Sequence, residues 1–272
     1  IVSIPAAPAH AADTITATDQ AYFGYYGLDR ARAKGYTGKG VTIAMIDGKV
    51  DTSVPELAGA NITVKIPCTI TTSPSVESHG TGVASILVSA DYGVAPKVSL
   101  LAYQGRFGGN GDRGASDCDQ PGGVGKDSQP WLLNSAMNDG AQIINLSAST
   151  PNEYKELKWV TARAIAQQVI LVNAAGNDSK NEDDTSLSKW SGVVGVSAIG
   201  VDDNRQDYSS WGQGVVTASI GGPFSFRDLA SGEVMQGSGT SFSTPVVTGV
   251  LALAKQRWPE ATSNQLLQLL VK

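Results

Sequence analysis

The sequence predicts a single α/β domain with a mainly parallel sheet and helices on both faces. Short apolar runs rich in β-branched residues alternate along the chain with segments whose apolar residues recur at helical spacing. The strand-like runs are apolar at nearly every position, which is typical of strands covered on both sides. No repeat or linker divides the 272 residues, a length that suits one large core.

In chain order, an amphipathic stretch precedes a glycine-rich turn at 35–40, and strands and helices then alternate. Pro130 near the start of one predicted helix and Gly140 at its end are typical helix boundaries. The predicted elements are strands at 41–46, 98–103, 142–147, 169–172 and 193–198, and helices opening at His79, from 129 to about 139, at 153–168, in the apolar run after Pro245, and at 261–271.

Composition argues against two classes of function. Twenty Lys and Arg against 25 Asp and Glu give a formal charge of −5, and no basic cluster interrupts the chain. Nucleic acid is therefore not an expected partner. The longest apolar stretch, around 246–254, is far shorter than the ~20 residues of a membrane-spanning helix. We expect no membrane span in this chain, and a monomer.

The N-terminus predicts export, with a plain disordered terminus as the alternative. Residues 1–18 read as a signal-peptide remnant or N-terminal extension, with a small-residue site at 9–11, and residues 19–272 as the folded domain. In an exported chain, Cys68 and Cys118 are expected to form a disulfide, although two separate thiols are the alternative. Such a bridge should contribute about 4 kcal/mol in the chain-entropy model.

A serine leads out of a glycine turn directly into the apolar run near the C-terminus. Ser241 would present its hydroxyl beside the unpaired N–H groups of a helix start, which suit an oxyanion. Gly239 leaves room for a substrate, and Pro245 is predicted in the first turn, where a missing N–H costs little. An N-cap serine on a core helix is the alternative interpretation.

A serine nucleophile needs a base, and that base needs an orienting acid. Because His10 lies in the segment assigned to export, His79 is the candidate base among the two histidines. Asp47 follows the strand at 41–46, at the carboxyl edge where open α/β sheets bind ligands. Asp47 is therefore the candidate acid, with Asp51 as the alternative.

Four blocks of the chain resemble the signature blocks of the subtilisin-like serine proteases, in that family's order. They are Asp47, His-Gly-Thr-Gly at 79–82, Ala-Gly-Asn at 175–177 and Gly-Thr-Ser at 239–241. The resemblance covers residues 25–272 and implies that family's fold and a secreted endopeptidase. The short segment before the first strand is similar to that of the mycosins, bacterial members of the family.

The resemblance also implies roles for particular residues. Asn177 would donate its side-chain amide to the oxyanion, with Asn173 as the alternative. Ser147, Ala148 and Ser149 would bind the peptide substrate as an added strand. Gly48 departs from the family, in which Ser or Thr usually follows the acid, and this removes a hydroxyl donor near Asp47.

Acidic residues suggest two further sites. The run 182–184 would approach the floor of the primary specificity pocket and favour Arg or Lys before the scissile bond, unless these acids face water. The same run and residues 202–204 offer oxygen ligands for a structural calcium ion, and solvated acids explain them equally well. The metal stays unassigned, and the reaction is expected to need no cofactor. An inactive, protease-like peptide-binding protein is the rival function.

Overall fold

The computed structural model describes residues 14–106, 112–148, 155–181 and 187–271. Within these residues the α-helices are α1 (Ala21–Tyr25), α2 (Leu28–Ala33), α3 (Pro74–Val88), α4 (Gln129–Asn138), α5 (Lys155–Ala166), α6 (Thr240–Arg257) and α7 (Ser263–Gln268). The strands are β1 (Thr42–Asp47), β2 (Ile62–Lys65), β3 (Ile70–Thr71), β4 (Ser99–Gln104), β5 (Arg113–Gly114), β6 (Ile143–Leu146), β7 (Ile170–Ala174), β8 (Val193–Ile199), β9 (Val215–Ile220), β10 (Phe224–Arg227) and β11 (Val234–Gly237).

A seven-stranded sheet in the order β2-β4-β1-β6-β7-β8-β9 forms the centre of the domain. Every neighbouring pair in it is parallel, which confirms the predicted α/β architecture. In β1, Ile43 and Met45 join the core on one face, whereas Ala44 and Ile46 join the core on the other. This alternation is the two-residue period of a strand, and both faces are apolar because both are covered.

Two helix layers cover the sheet. α3 and α6 pack against each other on one face, and Val83 and Val246 belong to the larger core cluster there. α4 and α5 pack against each other on the opposite face, where Leu132 and Leu157 belong to the second cluster. We refer to them as the α3–α6 layer and the α4–α5 layer.

Two predicted helix starts are wrong. α3 begins at Pro74 rather than at His79, because Ser73 caps it by accepting a hydrogen bond from Val76 N at 3.4 Å. His79 therefore lies in the second turn. α6 begins at Thr240, so that Pro245 lies in its second turn and not its first. The missing N–H of this proline leaves the Ser241 carbonyl without its usual helical partner.

The sequence did not reveal the edge strands of the sheet or the strands outside it. β2 and β9 are the edges of the main sheet, β10 and β11 form an antiparallel hairpin, and β3 pairs with β5. These strands are two to six residues long, and several have exposed positions, so their hydrophobic pattern is weak. The final helix, α7, is shorter than predicted, and Thr262 caps it.

The predicted disulfide is confirmed. Cys68 and Cys118 are bonded to each other, and both are buried beside Ile70. The bridge joins the segment before α3 to the segment before α4. The predicted export site at 9–11 lies outside the described residues, whereas Ile15 is buried in the larger core cluster. Among the described residues, no helix is long and apolar enough to cross a bilayer.

Candidate active site

Asp47 and His79 meet at the carboxyl end of the sheet. Asp47 is the last residue of β1 and is fully buried, whereas His79 projects from α3 with 31% of its side chain exposed. His79 Nδ1 lies 2.8 Å from Asp47 Oδ1, and the same oxygen accepts a hydrogen bond from Gly48 N at 2.7 Å. Because Nδ1 is occupied, Nε2 is the ring nitrogen left to exchange a proton in the cleft.

The environment of His79 favours its protonated form. Burial is the largest single influence and opposes the charge, but the attraction of the Asp47 carboxylate and its hydrogen bond together outweigh it. The pKa of His79 is therefore raised above its ordinary value. A base with this property accepts a proton more readily than a free imidazole.

The second carboxylate oxygen of Asp47 is unusual. Oδ2 is buried and has no hydrogen-bond partner among the described residues. A hydroxyl side chain at position 48 would be the natural donor, but a β-carbon on Gly48 would overlap with the Val76 carbonyl in the first turn of α3. The close approach of α3 thus explains why glycine follows the aspartate here.

Ser241 and Asn177 approach each other from two different elements. Ser241 is the second residue of α6, where backbone N–H groups lack partners inside the helix. Asn177 lies in the turn that follows β7. A β-carbon added at Gly239 would lie 3.1 Å from Ser241 Oγ and 3.3 Å from Asn177 Nδ2. Glycine therefore keeps open a small space that both the hydroxyl and the amide nitrogen face.

Thr240 fixes the orientation of the Asn177 side chain. Asn177 Oδ1 accepts hydrogen bonds from Thr240 N at 2.8 Å and from Thr240 Oγ1 at 3.0 Å. Thr240 Oγ1 in turn accepts one from Gly176 N at 3.1 Å. Because the amide oxygen is held in this way, the amide nitrogen is left to donate toward Ser241. Sequence reasoning missed Thr240, although it lies inside the Gly-Thr-Ser block.

A cleft of about 520 Å³ is lined by the four predicted residues Asp47, His79, Asn177 and Ser241. Ser147 and Ala148, which are predicted to bind the substrate, also line the cleft, whereas Ser149 lies outside the described residues. Sequence reasoning missed Phe242, whose ring centroid lies 5.5 Å from that of His79. The lining residues are Asp47, Ser75, Val76, His79, Ser147, Ala148, Ala174, Gly176, Asn177, Asp178, Ser238, Thr240, Ser241 and Phe242.

The two alternative residues have other partners. The Asp51 carboxylate accepts hydrogen bonds from Ser53 N and Oγ, and these bonds lower the pKa of Asp51. The buried Asn173 amide donates to Ala174 O and to Ser188 Oγ. Neither Asp51 nor Asn173 lines the cleft. The fold thus brings Asp47 and Asn177, and not the alternatives, to His79 and Ser241.

The structure describes one of the two acidic segments that the sequence offers for calcium. In the segment 202–204, Asp202 accepts hydrogen bonds from Asn204, and Asp203 accepts one from Tyr25. Over the described ranges, no three side chains among His, Cys, Asp and Glu converge as metal ligands would. The run 182–184, offered for calcium and for the specificity pocket, lies outside those ranges.

Comparison with known proteins identifies the family. The model of the subtilase family matches residues 38–272. Subtilisin E of Bacillus subtilis (strain 168) is 27% identical over 256 residues, which cover 88% of this chain and 63% of subtilisin E. The major intracellular serine protease of the same strain is 27% identical over 86% of this chain and 74% of its own length.

Among solved structures, the prenylagaramide maturation protease PagA superposes with a TM-score of 0.70 and 26% identity. The match covers 88% of this chain and 84% of PagA. The chain therefore spans less than two thirds of subtilisin E and most of PagA. The family match extends over more than half of the chain and includes all four blocks that form the cleft. The chain belongs to the subtilase family.

Proposed function

We propose that this chain is a serine endopeptidase. The observation that carries the proposal is the Asp47–His79 hydrogen bond of 2.8 Å in the cleft that Ser241 also lines. Ser241 Oγ attacks the peptide carbonyl, and His79 Nε2 takes its proton and later gives it to the leaving amine. Asp47 holds the imidazole in the required tautomer and offsets the charge of the imidazolium.

The oxyanion of the tetrahedral intermediate would lie between two donors. These are Asn177 Nδ2 and the backbone N–H of Ser241 at the start of α6, where the helix dipole also favours negative charge. Residues 147–149 would pair with the extended substrate through main-chain hydrogen bonds, which grip any peptide sequence. A water molecule, activated by His79, then hydrolyses the acyl-enzyme, which releases the new carboxylic acid and restores the Ser241 hydroxyl. We propose that the reaction needs no cofactor and that the chain acts as a monomer.

For specificity, we propose a preference for Arg or Lys before the scissile bond. Asp178 lines the cleft beside Asn177, and the acidic run 182–184 follows along the chain. A carboxylate there would form a charge-assisted contact with a basic side chain. Profiling cleavage on a diverse peptide library tests this, and cleavage chiefly after Phe, Leu or Ala would contradict it. Unchanged preference in Asp183→Ala and Asp184→Ala would exclude the acidic run.

We propose that the protein acts outside the cytoplasm. One relative is an intracellular protease by name, so family membership leaves the compartment open, and the Cys68–Cys118 bridge carries this proposal. Disulfides persist in oxidising compartments and are rare where thiols are kept reduced. Cell fractionation with thiol titration tests it. Recovery of the native chain in the cytoplasm with both thiols free would contradict it.

Reaction with a fluorophosphonate probe separates the protease from an inactive peptide-binding protein. The wild type should be labelled covalently, Ser241→Ala should not, and the exposed Ser116→Ala should be labelled like the wild type. Folding of each variant is checked by circular dichroism. A folded wild type that resists labelling, or labelling that persists in Ser241→Ala, would overturn the proposed function.

A further inference from the structure

A buried ion pair lies outside the set of residues that line the cleft. Arg227 ends β10, and Glu56 lies in a short 3₁₀ turn over Pro55–Leu57. Their side chains are only 8% and 4% exposed. Arg227 Nη2 lies 2.6 Å from Glu56 Oε1, and Arg227 Nε lies 3.2 Å from each carboxylate oxygen. The contact is therefore a forked, charge-assisted one.

Such a pair is weak evidence for stability alone. Removing two charges from water costs much of what their attraction returns, and replacing both partners by apolar residues is often neutral or stabilising. This pair joins two segments of the chain, and each segment is connected to one member of the proposed triad.

Glu56 belongs to the segment that follows Asp47. Between them, Asp51 N donates a hydrogen bond of 3.0 Å to Thr81 Oγ1. Thr81 lies on α3, two residues after His79. The segment bearing Glu56 is thus attached at one end to β1 and along its length to the helix that carries the base.

Arg227 belongs to the hairpin that leads to Ser241. β10 pairs with β11, whose last residue, Gly237, lies four positions before Ser241. Arg227 Nη1 also donates to Gly232 O at 2.8 Å, which ties the connection between the two strands to the same side chain. Arg227 therefore links the end of β10 to the turn that leads into β11.

Directly after Arg227, the hairpin also contacts the residue before His79. Ser78 is buried, and its Oγ accepts a hydrogen bond of 2.8 Å from Leu229 N and donates one of 3.2 Å to Asp228 Oδ1. The hydroxyl has a single proton, which it shares between Asp228 Oδ1 and Pro74 O within α3, 2.8 Å from Oγ. The hairpin is thus attached to α3 at Ser78 and to the post-Asp47 segment at Glu56.

We propose that Glu56 and Arg227 are positioning residues of the triad, acting by fixing the hairpin that carries the chain into Ser241 against the segments that carry Asp47 and His79. The proposal rests on the proposed function of the cleft. A misplacement of about 1 Å in a catalytic group can cost ~10²-fold in rate. Loss of the pair should therefore lower kcat and leave KM nearly unchanged, because residues 147–148 of the cleft belong to another part of the chain.

The experiment must separate positioning from folding. Arg227→Met alone leaves the Glu56 carboxylate buried and unpaired, which is strongly destabilising. The informative variant is therefore the double substitution Glu56→Leu with Arg227→Met, which removes both charges. Arg163→Met is the matched control, since Arg163 joins α4 and α5 through Asn134 and Asn138 on the opposite face of the sheet.

For each variant, the melting temperature, the rate of inactivation by the fluorophosphonate, and kcat and KM on labelled casein are measured. The double variant should melt near the wild-type temperature yet react at least ~10-fold more slowly, with the loss in kcat. Arg163→Met should react at the wild-type rate. A stable double variant with wild-type inactivation rate and kcat overturns the proposal.

Two further results are decisive. Should the double variant fail to fold, Arg227→Lys keeps the charge and loses the fork. The Arg227→Lys variant should fold and react with the fluorophosphonate several-fold more slowly than the wild type. Reaction at the wild-type rate in this variant overturns the proposal. A wild-type protein that does not react with the probe overturns the proposed function together with the positioning roles. A reactive wild type with an equally reactive double variant overturns the positioning roles alone.

Discussion

The two helix layers are built from different kinds of helix. α6 is buried along most of its length from Thr240 to Ala252, and α3 is buried continuously from Gly80 to Val88. α4 and α5 bury one side only, and Trp159 on α5 is 69% exposed. α3 carries His79 and α6 carries Ser241. The side chains that must be placed most accurately are thus on the helices with the least freedom to move.

The two helix layers also differ in their glycine content. α3 contains Gly80 and Gly82 and α6 contains Gly249, whereas α4 and α5 contain no glycine. Glycine in a helix interior costs about 0.5–1 kcal/mol relative to alanine. In the α3–α6 layer this cost is offset by close backbone approach, since a β-carbon on Gly80 would lie 2.7 Å from Gly48 O.

The largest expected effect on activity is at the oxyanion. Asn177→Ala should lower kcat by about 10²–10³-fold, a magnitude measured for loss of such a donor in subtilisin, a member of the same family. Asn138→Ala, an exposed position of α4, should leave kcat unchanged. Steady-state kinetics on a peptide substrate checks both. An equal loss of kcat in the two variants would contradict the assignment of Asn177 as an oxyanion donor.

Close packing of the α3–α6 layer predicts a loss of stability. Gly80→Ala should lower the free energy of unfolding by about 1–3 kcal/mol, because the new methyl group would also lie 3.0 Å from Lys49 O. Gly24→Ala is the control. Gly24 lies at an exposed position of α1 with no atom of another element within 4 Å of a new β-carbon, and the substitution should stabilise by about 0.5–1 kcal/mol. Urea denaturation measures both, and a neutral Gly80→Ala would disprove the close contact.

The pH dependence should report the pair of Asp47 and His79. Activity needs neutral His79, so kcat/KM should fall as pH drops through its raised pKa, with a half-point above the ordinary histidine value of about 6.5. The free energy of unfolding depends on pH in the opposite direction. The favourable charged pair is fully present below the unfolded-state pKa and is lost as pH rises through the raised folded-state pKa. A half-point of kcat/KM at or below pH 6.5 would show that the pKa of His79 is not raised.

The smallest effect is expected on the outer face of the α4–α5 layer. Trp159→Ala should change the free energy of unfolding by less than about 0.5 kcal/mol and leave kcat and KM unaltered, because the side chain is mostly solvated. Thermal denaturation and kinetics together check this. A large loss of activity would show that this face takes part in substrate binding.

Local patterns were sufficient for much of the architecture. The strands at the centre of the sheet are continuous apolar runs, and their period and composition are visible without any partner. The edge strands and the β10–β11 hairpin are partly exposed, so their apolar pattern is weak, and they form through pairing with neighbouring strands. α6 was placed too late because Pro245 resembles a helix start, whereas tertiary packing of the preceding turn extends the helix to Thr240.

The sequence by itself determined which residues could carry out the chemistry: an acid at a strand end, one usable histidine, and a serine and an asparagine in small-residue turns. Only the tertiary structure decided how these groups are held. The orientation of Asn177 depends on Thr240. The approach of Val76 to Gly48 excludes a side chain beside Asp47 Oδ2, which has no hydrogen-bond partner within the part of the chain that the structure describes. Such contacts join residues 28 to 63 positions apart in the chain, and a local pattern carries no record of them.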